Sequence, residues 1–146
     1  STSRRQRQMC IRDRSGGEIS RVMLAVKTVL ADEEDTPTLI FDEIDVGISG
    51  RTAQMVAEKM SYIGNTHQVI CISHLAQIAA MADAHYLIEK SSHKDHTSTD
   101  IRMLDTEESV NELARILGGV EITDSVRESA AEMKQMAEQV KSGLRA

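Results

Sequence analysis

Residues 38–45 read Thr-Leu-Ile-Phe-Asp-Glu-Ile-Asp: four strand-forming residues, then three carboxylates, Asp42, Glu43 and Asp45, within four positions. Open α/β sheets bind ligands at the carboxyl ends of their strands. Mg²⁺ is held by one or two carboxylates together with substrate phosphates. The run is therefore expected to serve a magnesium–nucleotide site. Adjacent residues on a strand point to opposite faces, so the first two acids are expected to divide the work. Asp42 would partner the metal, directly or through water, and Glu43 would orient and deprotonate an attacking water. A strand that merely ends in solvated acids would carry the same residues.

Two other stretches bear on the same chemistry. Ser15-Gly16-Gly17-Glu18 opens a helical pattern, and backbone N–H groups at the positive end of a helix bind anions. Gly16 and Gly17 would let a phosphate approach the backbone closely; an ordinary serine-capped entry turn would look the same. His74 directly follows the apolar run 68–73, one strand–helix–strand unit after Asp42-Glu43. A neutral imidazole there could hydrogen-bond a γ-phosphate or the attacking water. Asp45 and Gly47 fall in a loop, either a plain turn or a crossing to a partner subunit. His93 and His96 flank Asp95 in a polar stretch with no cysteine or second cluster nearby, a weak basis for a metal site.

The elements that must position these residues follow from periodicity. Ile19, Val22, Met23, Val26 and Leu30 share one helical face, giving a helix from about Gly17 to Ala31, stopped by the polar run 32–36 and Pro37. Thr38–Phe41 reads as a short buried strand. Ala53, Val56, Ala57, Met60 and Ile63 line a second helix ended by Gly64-Asn65. Gln68–Ser73 reads as a second strand, apolar enough to be buried on both faces as in parallel sheets. Leu75–Met81 is a short helix. Strands at Ala84–Lys90 and Thr99–Leu104 flank a loop over 91–98. Asp105 and Glu108 form an N-cap pair for a helix ending at Gly118-Gly119, and a last helix spans Thr123 to Lys141, with Val126, Ala130, Met133, Ala137 and Val140 on one face. The order predicts an α/β fold with a mostly parallel sheet flanked by helices, a terminal hairpin and C-terminal helices.

Composition narrows the class. The chain of 146 residues is 40% hydrophobic and 27% charged, with 2% aromatics and eight Met. It suits one domain with an aliphatic core in which Met fills gaps. No run approaches the ~20 apolar residues of a membrane span. Cys10 and Cys71 suggest no disulfide framework; Cys71 reads as a small core residue in a reducing, cytoplasmic setting. The net charge is -6, yet residues 1–14 carry five Arg against Asp13, so the remainder is close to -10. The acidic body argues against a broad nucleic-acid surface on this segment, and the basic leader 1–14 reads as a solvated tail.

The combination of motifs resembles the C-terminal half of an ABC-type ATPase head. There Ser-Gly-Gly is the signature loop, Asp-Glu ends the Walker B strand, the next Asp belongs to the D-loop, and the histidine is the switch residue. Glu18 and Ile44 replace the Gln and Pro usual in transporter ATPases, which is similar to the SMC and DNA-repair branch. Within it, residues 15–27, 41–53, 71–79 and 117–123 resemble the RecN family of bacterial double-strand-break repair ATPases, over residues 15 to about 142. The resemblance implies ATP and Mg²⁺ bound between two heads. Ser15, Gly16, Gly17 and Glu18 would belong to the loop that meets the γ-phosphate in trans. Asp42, Glu43 and His74 would serve the ATP of their own chain, and Asp45 would lie at the nucleotide-bearing subunit interface. DNA would be met through other parts of the protein, with recombination proteins as further partners, in a nucleoid-associated, cytoplasmic setting.

No Gly-x-x-x-x-Gly-Lys-[Ser/Thr] loop occurs in the sequence and no sustained heptads. The chain is therefore expected to be a C-terminal fragment, inactive alone. Residues 1–14 depart from the family pattern and resemble a translated sequencing adapter. A transporter ATPase lobe and a non-enzymatic α/β interaction module are the alternatives.

Overall fold

The computed structural model describes residues 16–30, 36–93, 96–119 and 121–145; the leader 1–14, Ser15, Cys10 and the acidic residues 32–35 lie outside the described residues. The elements are α1 (Gly16–Leu30), β1 (Thr38–Phe41), α2 (Gly50–Ile63), β2 (Gln68–Cys71), α3 (Ala76–Ala80), β3 (Tyr86–His93), β4 (His96–Met103), α4 (Thr106–Gly118) and α5 (Asp124–Leu144). The α/β order is the expected one.

β1 and β2 pair in parallel, from Thr38↔Gln68 to Phe41↔Cys71. The crossover runs through α2, whose Ala53, Val56, Ala57, Met60 and Ile63 are all buried, as their spacing requires. In-register parallel pairing places the residues after Phe41 beside those after Cys71. Ile72 N–H continues the ladder by donating to Phe41 O at 3.1 Å. The core lies between the inner face of this pair (Leu39, Phe41, Val69, Cys71) and α2, α3, α4 and α5. On α5, Ala130 and Ala137 are buried, and Val126, Met133 and Val140 pack against the core. Asp105 and Glu108 complete a reciprocal capping box at the start of α4 (2.8 and 3.0 Å).

β3 and β4 form a separate antiparallel hairpin rather than extending the parallel pair. They stay in register out to His93↔His96. The loop expected over 91–98 is mostly strand: short hydroxyl side chains bridge the strands, as at Ser91 and Ser98 (2.7 Å). The side chains of His93 and His96 lie outside the described residues.

Two expectations about burial fail. β1 and β2 are covered on one face only, leaving Ile40, Ile70 and Ile72 exposed on the other. On α1, the apolar face expected in the core (Ile19, Val22, Met23, Val26 and Leu30) is exposed. The helix instead buries Gly17 and Leu24 and half-buries Ser20 and Arg21 between them. Apolar spacing marks a face that gains by being covered, but it cannot say what covers it. Here the first turns of α1 are held by polar contacts to the turn after β1.

At the far end of the fold, α5 supports α3. Lys134 Nζ donates to Ala80 O, one of the carbonyls the helix leaves unpaired at its C-terminal end, and to Ala82 O just beyond it (both 3.1 Å). Lys141 is 2% exposed, and its ammonium meets Asp83 at 3.1 Å and Glu138 at 2.7 Å. Arg145 grips Asp83 through both carboxylate oxygens at 2.8 Å.

Candidate functional site

β1 stops at Phe41, and the following turn places each acid differently. Asp42 and Glu43 are exposed. Glu43 adopts a left-handed backbone (φ 57°), a conformation that costs a non-glycine residue about 1–3 kcal/mol and persists only where its surroundings fix it. The alternation expected of adjacent strand residues therefore does not govern these acids. The left-handed step turns the chain so that Ile44 becomes fully buried. Val46 N–H closes the turn on Glu43 O at 3.1 Å, and Gly47 follows with φ 76°.

Asp45 is turned inward and is 3% exposed. Its Oδ2 accepts from Ser73 Oγ (2.7 Å) and the His74 backbone N–H (2.9 Å), and lies 2.9 Å from His74 Nδ1. Burial opposes the charge of Asp45. The His74 N–H, the Ser73 hydroxyl and the neighbouring imidazole outweigh it and hold the carboxyl below its usual range. A carboxylate on Nδ1 orients the imidazole with Nδ1–H donating; in the neutral ring Nε2 is then an acceptor. The ring itself is 73% exposed.

The N-terminal turns of α1 lie against this acid turn. A Cβ on Gly16 would stand 2.7 Å from Glu43 Oε2, and one on Gly17 would stand 2.6 Å from Glu43 O and 3.1 Å from Val46 Cβ. At Gly17, where the atom met is backbone, only glycine admits so close an approach; at Gly16 the exposed Glu43 side chain could move aside. Gly17, Ser20, Arg21 and Leu24 share one helical face by their i, i+3, i+4, i+7 spacing. Ser20 Oγ donates to Asp42 O at 3.1 Å, and Arg21 donates through one guanidinium nitrogen to Ile44 O (2.9 Å) and Val46 O (2.8 Å). Glu18 is exposed in the first turn, and Ser15 lies outside the described residues.

The structure thus gathers Gly16, Gly17, Asp42, Glu43, Asp45 and His74 at the carboxyl end of the parallel pair. Ser20, Arg21 and Ser73 join them without having been singled out in the sequence, together with Ile44, which the sequence marked only as a departure from transporter ATPases. The signal available for Arg21 was its place one turn after Gly17. Cys71 is half-buried and packs against the core rather than lying fully inside it; burial, then the charges of Asp45 and Asp42, push its thiol up to about 12, so it stays protonated. Two exposed acids at a strand end suit Mg²⁺, which keeps water and phosphate oxygens as its other ligands. Among the described residues no group of three or more His, Cys, Asp or Glu forms a complete protein-only metal cage. No described helix is long and apolar enough to cross a membrane.

No protein-family model matches the chain. Curated relatives do. The DNA repair protein RecN of Halalkalibacterium halodurans is 48% identical over 127 residues, covering 87% of this chain and 22% of that protein. RecN of Bacillus subtilis is 46% identical over 128 residues, covering 88% and 22%. RecN of Treponema pallidum is 54% identical over 105 residues, covering 72% and 18%. The chain thus spans about a fifth of the length of these relatives, matching their C-terminal part. Among solved structures, one from work on ATP-driven dimerization and DNA-stimulated activation of SMC ATPases matches with a TM-score of 0.53 and 24% identity, covering 73% of this chain and 64% of that one. At that identity the likeness establishes the fold alone.

Proposed function

This chain belongs to the RecN family of DNA repair proteins, matching the C-terminal part of its members, and on that premise we propose that it is the catalytic C-terminal lobe of an ATP-hydrolysing head. The observation that carries the reading is the convergence of Asp42-Glu43, His74 and the glycine end of α1 at one end of the β1–β2 pair. Asp42 holds Mg²⁺, directly or through water, and the ion when bound neutralises charge on the phosphate oxygens. Glu43 orients the attacking water and takes its proton. His74, fixed by Asp45, accepts from that water at Nε2 as the neutral ring, or donates Nε2–H to the γ-phosphate as the imidazolium. Ser15, Gly16 and Gly17 open α1 and present backbone N–H groups to a phosphate bound on a second head, with Glu18 beside them. Asp45 orders the loop of His74 from inside, and the exposed Val46 and Gly47 of the same turn face the opposing head.

The stretch shared with this chain is only 22% of one relative and 18% of another. The bare faces of α1 and of β1–β2 are surfaces that further parts of a full-length protein would cover. We place the phosphate-cradling lysine loop, the coiled coils and the contacts to DNA and recombination proteins there, in a cytoplasmic setting. The transporter reading has no support in the relatives, which are DNA repair proteins.

The test is nucleotide binding by a full-length protein carrying Asp42→Asn. Mg²⁺-dependent ATP affinity should fall at least tenfold, while metal-free nucleotide binding is unchanged. Equal Mg²⁺ dependence in variant and wild type would remove Asp42 from the metal site.

A further inference from the structure

Glu43 sits in a left-handed backbone that nothing in its own side chain favours. The neighbours that fix it belong mostly to α1. Ser20 holds Asp42 O, the residue before it. Arg21 holds Ile44 O and Val46 O, the residues after it. Gly17 presses on the carbonyl of Glu43, and Gly16 lies under its carboxylate. Ile44, Val46 and Glu43 are thereby fixed to a single helix face 17/20/21/24, which is stiff over this length. The acid turn and the N-terminal end of α1 move as one body or break these contacts.

Arg21 is the strongest of these ties. It is the only cation among the described residues that bonds the acid turn's backbone, and hydrogen bonds with a charged donor are roughly twice as strong as neutral ones. Both acceptors are carbonyls, so the guanidinium nitrogen that meets them is committed to the turn rather than to a phosphate.

We propose that Arg21 is a positioning residue for Glu43, coupling the glycine end of α1 to the water-activating acid of the same chain. This rests on the reading of Glu43 as the base and of Gly16-Gly17 as a phosphate-contacting end. Its consequence is specific. When the glycine end of one head engages a phosphate on the other, α1 is seated, and the Arg21 contacts seat Glu43 for the ATP of its own chain. Each of the two composite sites thereby reports its occupancy to the other. A misplacement of the reacting group by about 1 Å can cost ~10²-fold in rate, so a small movement of the turn suffices as a gate.

The experiment compares ATP turnover, ATP affinity and thermal stability of the full-length wild type with Arg21→Met, which keeps the stem without donors, and Arg21→Lys, which restores a charged donor. Glu43→Gln runs alongside. Arg21→Met is expected to lower kcat about ten- to a hundredfold with KM and ATP affinity within twofold of wild type, to flatten any sigmoidal dependence on ATP, and to be partly rescued by Arg21→Lys. If kcat stays within twofold in both Arg21 variants while Glu43→Gln is dead, the coupling is wrong and the catalytic reading stands. A fall in kcat matched by a proportional loss of ATP affinity or of stability also overturns the coupling, because that marks a phosphate ligand or a purely structural residue. If Glu43→Gln itself turns over normally, the catalytic reading fails, and the coupling with it.

Discussion

Replacing Gly17 with alanine tests the contact on which the site's geometry depends. The new Cβ would stand 2.6 Å from Glu43 O, 3.0 Å from an Arg21 guanidinium nitrogen and 3.1 Å from Val46 Cβ. Ordinary contact begins near 3.4 Å, so the backbone at Glu43 must retreat by almost an ångström. The guanidinium can move only by giving up its bonds to Ile44 O and Val46 O, and a carbonyl in a turn closed by Val46 N–H cannot retreat cheaply. Overpacking of this kind costs about 1–3 kcal/mol, and the better helix propensity of alanine returns at most ~1 kcal/mol. The clash is with backbone, so the upper part of that range applies and the net loss is about 1–2 kcal/mol, which for a chain of this size lowers Tm by roughly 3–8 °C. Gly143→Ala is the matched control: it lies in α5 with nothing within 4 Å of its Cβ position and should leave Tm unchanged or raise it. Thermal unfolding followed by circular dichroism reads both. Equal Tm values for the two variants would refute the packing of α1 on the acid turn.

Other outcomes follow from the same contacts. Asp45→Ala strips the acceptor from Ser73 Oγ and the His74 N–H and should cost about 2–4 kcal/mol in urea unfolding, with Asp45→Asn losing less; a loss under 0.5 kcal/mol would mean the loop of His74 is held otherwise. Because the folded state lowers the Asp45 pKa, its contribution is present above the unfolded value near 3.8 and lost as pH falls through the folded value. Burial, then the charge of Lys134, likewise lowers the His85 pKa, while Ser109 Oγ lies 2.8 Å from its Nδ1. The unfolded chain therefore takes up that proton first, and stability should drop as pH falls below about 6.5. His85→Gln should flatten that part of the stability profile; an unaltered slope would assign it to another group.

Much of the fold was legible because local signals agreed with their surroundings. Ala53 to Ile63 and Val126 to Val140 spelled helix faces that are now covered, and Asp105 with Glu108 spelled a cap that forms as written. The order of elements put the acids and His74 at one end of a parallel pair, and the register does so. What failed was the assignment of cover. Ile40 and Ile70 read as buried, and Val22 and Val26 as core, because apolar spacing records a demand for burial. The inner side of α1 is instead Gly17, Ser20, Arg21 and Leu24, a face that no hydrophobic pattern selects. The left-handed Glu43 was equally hidden: it results from Ile44 seeking the core on one side and α1 holding the turn on the other, both long-range effects. Asp45 read as a loop acid, in a plain turn or a crossing to a partner subunit, and its burial depends on Ser73 and His74, nearly thirty residues away.

The role of Glu43 is tested most directly by one preparation of full-length protein carrying Glu43→Gln, in which ATP turnover is measured beside ATP binding and head-to-head association. Turnover should fall by at least ~10²-fold, the usual loss on removing a general base, while ATP is still bound and the heads remain associated. Turnover at the wild-type rate would contradict the assignment of Glu43 as the base, and with it the reading of this strand end as the hydrolytic site.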